Sequence, residues 1–323
     1  YIPANPFYAL ANNIVPAVVL FSIFVGIALI GIDRKQPLMD MLEVVCDALT
    51  RVNSFVIRLT PYGMFAIAAG AAGTLSLAEL SRLEGYFVVY LVATVVLAFC
   101  IVPLLVAAVT PFSYRQIVAA SRDAVMTALA TGKLLVVIPL LVRAAEELFR
   151  DLGEDDEEIT GQVGMLVPLA YPFPSIGKLL ALLFIPFSAW FVGSTLGFRQ
   201  LATLVGTGLM SLFGSPLAAI PFLLDLFRLP ADMFHLFLVS GVFATRLSDV
   251  VGAMHLLAFT LIVTCATAGL LKVNPKRMVT GAVTTAVVVA VAILAVRGYI
   301  SSSESHRERA DIVGEMKLLV DPA

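Results

Sequence analysis

Lone charges inside apolar stretches are the residues of this sequence best suited to chemistry. Lys133 is the only Asp, Glu, Lys or Arg within residues 124–142, Lys178 the only one within 163–198, and Arg246 and Asp249 the only ones within 234–271. A charge in such a setting costs about 2.5–3.5 kcal/mol on insertion scales, so each needs a partner or a use. The chemistry they offer is non-covalent: fixed cations, a carboxylate and exposed backbone that hold an acidic or zwitterionic solute in a dry pocket. Arg246 and Asp249 are three residues apart, neighbours on a helix face that can neutralise each other, and Thr245, Ser248 and Gly252 broaden the polar stripe. Two readings of that stripe stand side by side, a face that binds solute and an ion pair that lets a helix pass through a bundle. His255, close beyond Gly252, is either a proton relay or a hydrogen-bonded interior residue. Lys178 follows Pro174-Ser175-Ile176-Gly177. Proline with glycine in mid-block predicts a broken helix whose freed backbone groups are open to a ligand. The rival is a kinked helix with a lysine snorkelling to an interface, and the same rival applies to Lys133.

The elements that would position these residues are membrane helices. Of 323 residues, 60% are hydrophobic and 14% charged, against roughly 25% charged in an ordinary soluble domain. Residues 7–32, 85–114 and 278–296 carry no Asp, Glu, Lys or Arg, and each approaches or exceeds the ~20 residues that cross a ~30 Å hydrocarbon core. The expected fold class is an all-α integral membrane bundle, multi-pass in the cell's inner (plasma) membrane, with the lipid bilayer as its first partner. A net charge of -2 leaves no basic surface for nucleic acid. Cys46, Cys100 and Cys265 are far apart, with no Cys-x-x-Cys and no adjacent His pair, and read as small core residues; no metal site or cofactor is expected. The three His residues stand near no Ser or Cys in a recognisable arrangement. With no Gly-x-Ser-x-Gly, phosphate loop or metal-ligand spacing either, an enzyme is not expected. Tyr1 opens the chain without a basic stretch and apolar core of signal-peptide type, so the chain is expected to start inside a longer protein.

Apolar blocks cover residues 12–32, 55–75, 85–109, 124–142, 163–192, 201–224, 234–271 and 278–296. Cations of connecting segments concentrate on the cytoplasmic side, which points to Arg34 and Lys35, Arg115 and Arg122, Arg143 and Arg150, and Lys272, Lys276 and Arg277. Block 124–142 then has cations at both ends, Arg122 and Arg143. A hairpin that enters and leaves on one side suits that pattern, and an ordinary short crossing is its rival. Non-helical backbone at membrane depth is tolerated only inside protein or along a watery cavity, so a hairpin there would line a site. Block 201–224 poses the same question from the other face, since Gly206, Gly208, Gly214, Pro216 and Pro221 interrupt it. With two hairpins, block 278–296 exits the cytoplasmic side and leaves a polar, loop-like tail, residues 301–323, outside. Residues 151–158 read as a solvated acidic loop without the oxygen spacing or turn glycine of a calcium loop.

Two stretches resemble a known family. Ile2-Pro-Ala-Asn-Pro-Phe-Tyr-Ala-Leu-Ala-Asn12, with Phe21-Ser-Ile-Phe-Val-Gly-Ile-Ala28 after it, is similar to the entry of the fourth helix in the dicarboxylate/amino acid:cation symporters. Leu59-Thr-Pro-Tyr-Gly-Met-Phe-Ala-Ile-Ala68 resembles the proline-glycine segment of that family's fifth helix. More weakly, residues 123–131 with Pro139 resemble the first re-entrant hairpin, Pro168-Leu169 with Gly177 the broken seventh helix, and Phe213-Gly214-Ser215 the second hairpin. The resemblance implies an elevator-type secondary transporter of a dicarboxylate or amino acid, usually a homotrimer. Residues 1–274 would be the symporter-like domain, with a scaffold at 1–114 and a transport part at 115–274. It further implies solute contacts at Lys133, Ser175, Gly177, Lys178, Gly214, Ser215, Thr245, Arg246 and Asp249. The family's first three helices have no counterpart here. Residues 275–300 form an additional transmembrane helix, after which the tail could lead into a fused extracytoplasmic solute-binding domain.

Departures from the family pattern bear on coupling. The serine-rich tip of the first hairpin is Gly132-Lys133-Leu134-Leu135-Val136 here. The Asn-Met-Asp-Gly-Thr motif aligns with Pro174-Ser175-Ile176-Gly177-Lys178, which puts Ile176 where a sodium-ligating Asp belongs. Asp249 matches the aspartate that receives the substrate amino group, while the substrate-selecting Arg falls on Gly252, the Asn on Leu256 and the last sodium Asp on Thr260. A hard cation such as sodium is bound by carboxylate, carbonyl and water oxygens. With the carboxylates gone, a coupling cation, sodium or proton, would have to do without them, and Lys133 and Lys178 would act as fixed charges in its place. The alternative is a degenerate, non-transporting symporter body that anchors or senses through an outside domain.

Overall fold

The computed structural model describes residues 5–12, 14–74, 77–154, 156–213 and 215–320. They form α1 (Pro6–Ala11), α2 (Val15–Ile30), α3 (Gln36–Thr74), α4 (Leu77–Val96), α5 (Val102–Val109), α6 (Tyr114–Thr131) and α7 (Leu134–Leu152). These are followed by α8 (Glu157–Ala170), α9 (Ile176–Leu179), α10 (Phe184–Phe191), α11 (Phe198–Ser211), α12 (Pro216–Leu226), α13 (Met233–Thr267) and α14 (Pro275–Val320). A π turn, Leu97–Ile101, joins α4 to α5, and a 3-10 turn, Leu180–Leu183, joins α9 to α10. The described residues contain no strand. Helices pair each backbone group inside their own segment, which is what a lipid-embedded chain requires.

The chain divides into two compact units, residues 1–82 with 171–248, and residues 83–170 with 249–323. In the first unit, α2 packs on α1, α11 and α12, and the 3-10 turn and α10 pack on α12. Phe184, Ile220 and Leu223 are fully buried there, and the Phe184 ring meets Phe237 edge-on at 5.2 Å. Asn5 starts α1 by accepting from the amides of Phe7 and Tyr8. The approach of α11 to the 3-10 turn depends on Gly208, where an added Cβ would stand 2.5 Å from Leu182 Cδ2.

In the second unit, α6 and α7 form a helical hairpin joined by Gly132 and Lys133. Ser113 and Gln116 cap the start of α6 reciprocally, the Ser113 amide donating to Gln116 Oε1 at 2.9 Å and the Gln116 amide to Ser113 Oγ at 3.4 Å. Gly132 ends it in the left-handed region, at φ 61, which costs glycine nothing. Buried Leu134, Val137, Leu141, Ala144, Ala145 and Leu148 recur three to four apart along α7, giving it one apolar face. Phe112 and Phe149 close the open end of the hairpin edge-on at 5.2 Å. Pro103 offers no amide to the Phe99 carbonyl one turn back, and the Tyr114 hydroxyl donates to that carbonyl at 2.6 Å. The last carbonyls of α5 are served in turn from the α13–α14 link: Lys272 N donates to Val109 O, Asn274 N to Ala108 O, and Arg277 Nη1 to Ala107 O at 3.4 Å.

Three sequence expectations need correction. Residues 55–74 are not a separate block but the second half of α3, a 39-residue helix that includes Asp40, Glu43, Asp47 and Arg51. Residues 36–54 hold no Gly and only one Pro, Pro37 in the first turn, so nothing in them stops the helix at the charges. The acidic segment is shorter than a loop over 151–158, because α7 runs to Leu152, Gly153 caps it at φ 84, and Glu157 and Glu158 already occupy the first turn of α8. Acidic residues are favoured there by the helix dipole. The tail beyond residue 300 is helical through Val320, a continuation of α14, as its Glu, Arg, Ala, Lys and Leu content allows.

Replacing Gly208 with Val should lower stability in detergent by about 1–3 kcal/mol, read as a fall in Tm, because overpacking at a close helix contact has that cost. Leu182→Ala in the same chain should recover most of the loss; no recovery would mean that the contact is not what limits residue 208.

Candidate functional site

The helix interruption lies between Ala170 and Ile176, where Pro172 and Pro174 fall. Neither proline can donate to a helical ladder. Two side chains restore what the break removes. Ser175, 4% exposed, holds the start of α9 by accepting from the Lys178 amide at 3.4 Å. The Lys178 ammonium folds back to donate to the Phe173 carbonyl at 3.5 Å. Gly177 is buried in the same turn.

A second built turn belongs to the same unit. Ser215 caps α12 by accepting from the Ala218 amide at 3.4 Å, and Pro216 takes the first helical position, where a missing amide is harmless. Phe213, in the link between α11 and α12, meets the Phe173 ring edge-on at 6.3 Å. That contact joins the stretch before α9 to the link before α12. Gly214 lies outside the described residues. Thr245 and Arg246 are exposed on α13 in this unit.

Lys133 and Asp249 belong to the second unit. Lys133 is exposed at the hairpin link, in extended backbone that caps α7, and its amide donates to Thr131 Oγ1 at 3.3 Å. Asp249 is half-buried on α13, three residues from Arg246. Further along α13, Thr260 and Thr264 are fully buried, one turn apart, with hydroxyls that have no hydrogen-bond partner among the described residues. Thr267 closes that face by donating to Gln162 Oε1 at 2.7 Å.

Sequence reasoning found the break and both turns but not the ring contact between them, nor the unpaired threonines. The serines at 175 and 215 carry a readable signal, a cap residue flanked by proline. An aromatic contact across 40 residues carries none. No group of three or more His, Cys, Asp or Glu able to hold a metal occurs among the described residues.

Helices at 83–109 (27 residues), 233–267 (35 residues) and 275–299 (25 residues) are long and apolar enough to cross a bilayer, which makes this a multi-pass protein of the cell membrane. Comparison with known proteins agrees: the profile of the sodium:dicarboxylate symporter family matches residues 1–264. The chain belongs to the sodium:dicarboxylate symporter family. It is 34% identical over 125 residues to the L-cystine uptake protein TcyP of Bacillus licheniformis, covering 36% of this chain and 27% of that protein. To the protein of the same name in Shouchella clausii it is 37% identical over 123 residues, covering 35% and 26%. To the proton/sodium-glutamate symport protein of Bacillus subtilis it is 27% identical over 184 residues, covering 55% and 40%. These alignments thus span between 26% and 40% of the length of the relatives.

Ser175→Ala should remove the cap of α9 and lower stability by about 1 kcal/mol, with Ser175→Thr losing much less, as a Tm series would register. An equal loss for both would assign the effect to packing around residue 175 rather than to the cap.

Proposed function

We propose that the protein containing this chain is a secondary transporter that carries a small carboxylate-bearing solute, an amino acid or dicarboxylate, and that the turns at Ser175–Lys178 and Ser215 take part in holding it. The observation that supports this reading is the Phe173–Phe213 contact, which joins the stretch leading into α9 to the link leading into α12. Helix starts present unpaired amides and a positive dipole end, the groups a carboxylate needs. The Lys178 ammonium, which donates to the Phe173 carbonyl, adds a positive charge at the first of these turns.

Helix lengths support two hairpins that enter and return on one side. The 14 residues of α11 and the 11 of α12 rise about 21 and 17 Å, short of the ~30 Å hydrocarbon core. In the other hairpin, charges confine the apolar part to residues 124–131 of α6 and 134–142 of α7, about 12 and 14 Å. That depth would set Gly132 and Lys133 near mid-bilayer. Asp249 would then receive the amino group of an amino-acid solute, and Arg246 would balance it on α13. Named relatives are an L-cystine uptake protein and a proton/sodium-glutamate symport protein, both of which handle amino acids by name. The lost sodium carboxylates favour coupling that does not use sodium.

The test is flux into vesicles containing the full-length protein, with L-cystine, L-glutamate and L-aspartate as probes. Lys178→Met and Asp249→Asn should each lower kcat/KM by about 10- to 100-fold, the effect of removing a charged hydrogen bond, while replacing sodium with choline should leave uptake within about twofold. Uptake that vanishes in choline would reject the sodium-free reading. Solute binding without flux in the unaltered protein would replace the carrier with a sensor.

A further inference from the structure

The junction of α14 with the second unit carries a site of its own. Helix α14 begins at Pro275, beyond the family match at 1–264, and its crossing segment is almost entirely exposed, with 6% of its most apolar window buried. That exposed face is open to lipid. Its first turns pack on α5, where a Cβ added at buried Gly281 would stand 3.8 Å from Leu104 Cβ, and beside that contact is an open cavity of about 340 Å³. The polar residues of the cavity are Ser113, Tyr114, Lys276, Arg277 and Thr280, and no carboxylate lines it. Arg277 spends one donor on the Ala107 carbonyl, which fixes the guanidinium at the cavity wall and leaves most of its five donors for another acceptor.

Depth fixes the kind of acceptor. Arg277 and Arg297 are 20 residues apart on one continuous helix, about 30 Å, the thickness of the hydrocarbon core. The cavity therefore sits at the level of lipid headgroups, and the cations Lys272, Lys276 and Arg277 assign that level to the cytoplasmic leaflet. Basic pockets between transmembrane helices on that side suit anionic headgroups. We infer that this cavity binds the phosphate of an anionic phospholipid, clamped by Lys276 and Arg277 and by the Thr280 hydroxyl, so that a lipid ties α14 to the symporter body. Its acyl chains run along the exposed face of α14.

Native mass spectrometry of the full-length protein, purified in mild detergent and offered phosphatidylglycerol or phosphatidylcholine, tests this. The unaltered protein should retain phosphatidylglycerol in preference to phosphatidylcholine. Lys276→Gln should reduce that retention roughly fivefold and Lys276→Gln with Arg277→Gln roughly 25-fold. Arg297→Gln, at the opposite interface, should leave it unchanged, and inorganic phosphate at millimolar concentration should not displace the lipid. Should the double variant fail to fold, Lys276→Gln alone decides, since that side chain makes no recorded contact with α5. Equal retention of both lipids, undiminished phosphatidylglycerol in Lys276→Gln, displacement by phosphate alone, or a second copy of the chain bound in place of lipid would each overturn the inference.

Discussion

In hydrocarbon, an amide or carbonyl without a partner costs several kcal/mol, and the irregular parts of this fold are arranged around that cost. At several breaks of the helical ladder among the described residues, a side chain or a linker amide replaces it. Tyr114 serves the carbonyl that Pro103 cannot, the segment 272–277 serves the end of α5, and Lys178 serves Phe173. Ser175 and Ser215 hold the two helix starts of the first unit. The same constraint explains why the breaks are informative. A chain tolerates them at membrane depth only where something polar is meant to meet the freed groups.

Lys178 answers a structural need of the break by donating to the Phe173 carbonyl, and in the proposed carrier the same charge would meet the solute. The buried hydroxyls of Thr260 and Thr264 make a related point. They keep oxygen on a face of α13 where the family resemblance puts a sodium-binding aspartate at residue 260, but without the charge that would draw a hard cation.

Much of the architecture was legible in the sequence because lipid imposes simple rules. Charge-free runs gave the long crossings at 83–109 and 275–299, and Pro174 with Gly177 marked the break. Block 124–142, with Arg122 and Arg143 at its ends, marked the helical hairpin. Boundaries were less legible. Nothing local separates the charged half of α3 from its apolar half, since both favour helix, and the polar tail carries helix-forming residues that composition alone reads as loop. For the candidate site, the serines and Lys178 follow from local patterns of capping and proline. The Phe173–Phe213 contact does not, because it depends on how α11 and the 3-10 turn pack through Gly208.

Two hairpins that dead-end in the membrane are the central claim, and cysteine labelling of the full-length protein, with Cys46, Cys100 and Cys265 replaced, tests it most directly. Single cysteines at Arg115 and Asp151 flank the first hairpin, and single cysteines at Arg199 and Ala231 flank the second. With an impermeant maleimide applied to right-side-out and inverted vesicles, residues 115 and 151 should label from one side only, and residues 199 and 231 only from the other. Labelling of either pair from opposite sides would make that hairpin a pair of ordinary crossings and contradict the re-entrant geometry on which the carrier reading stands.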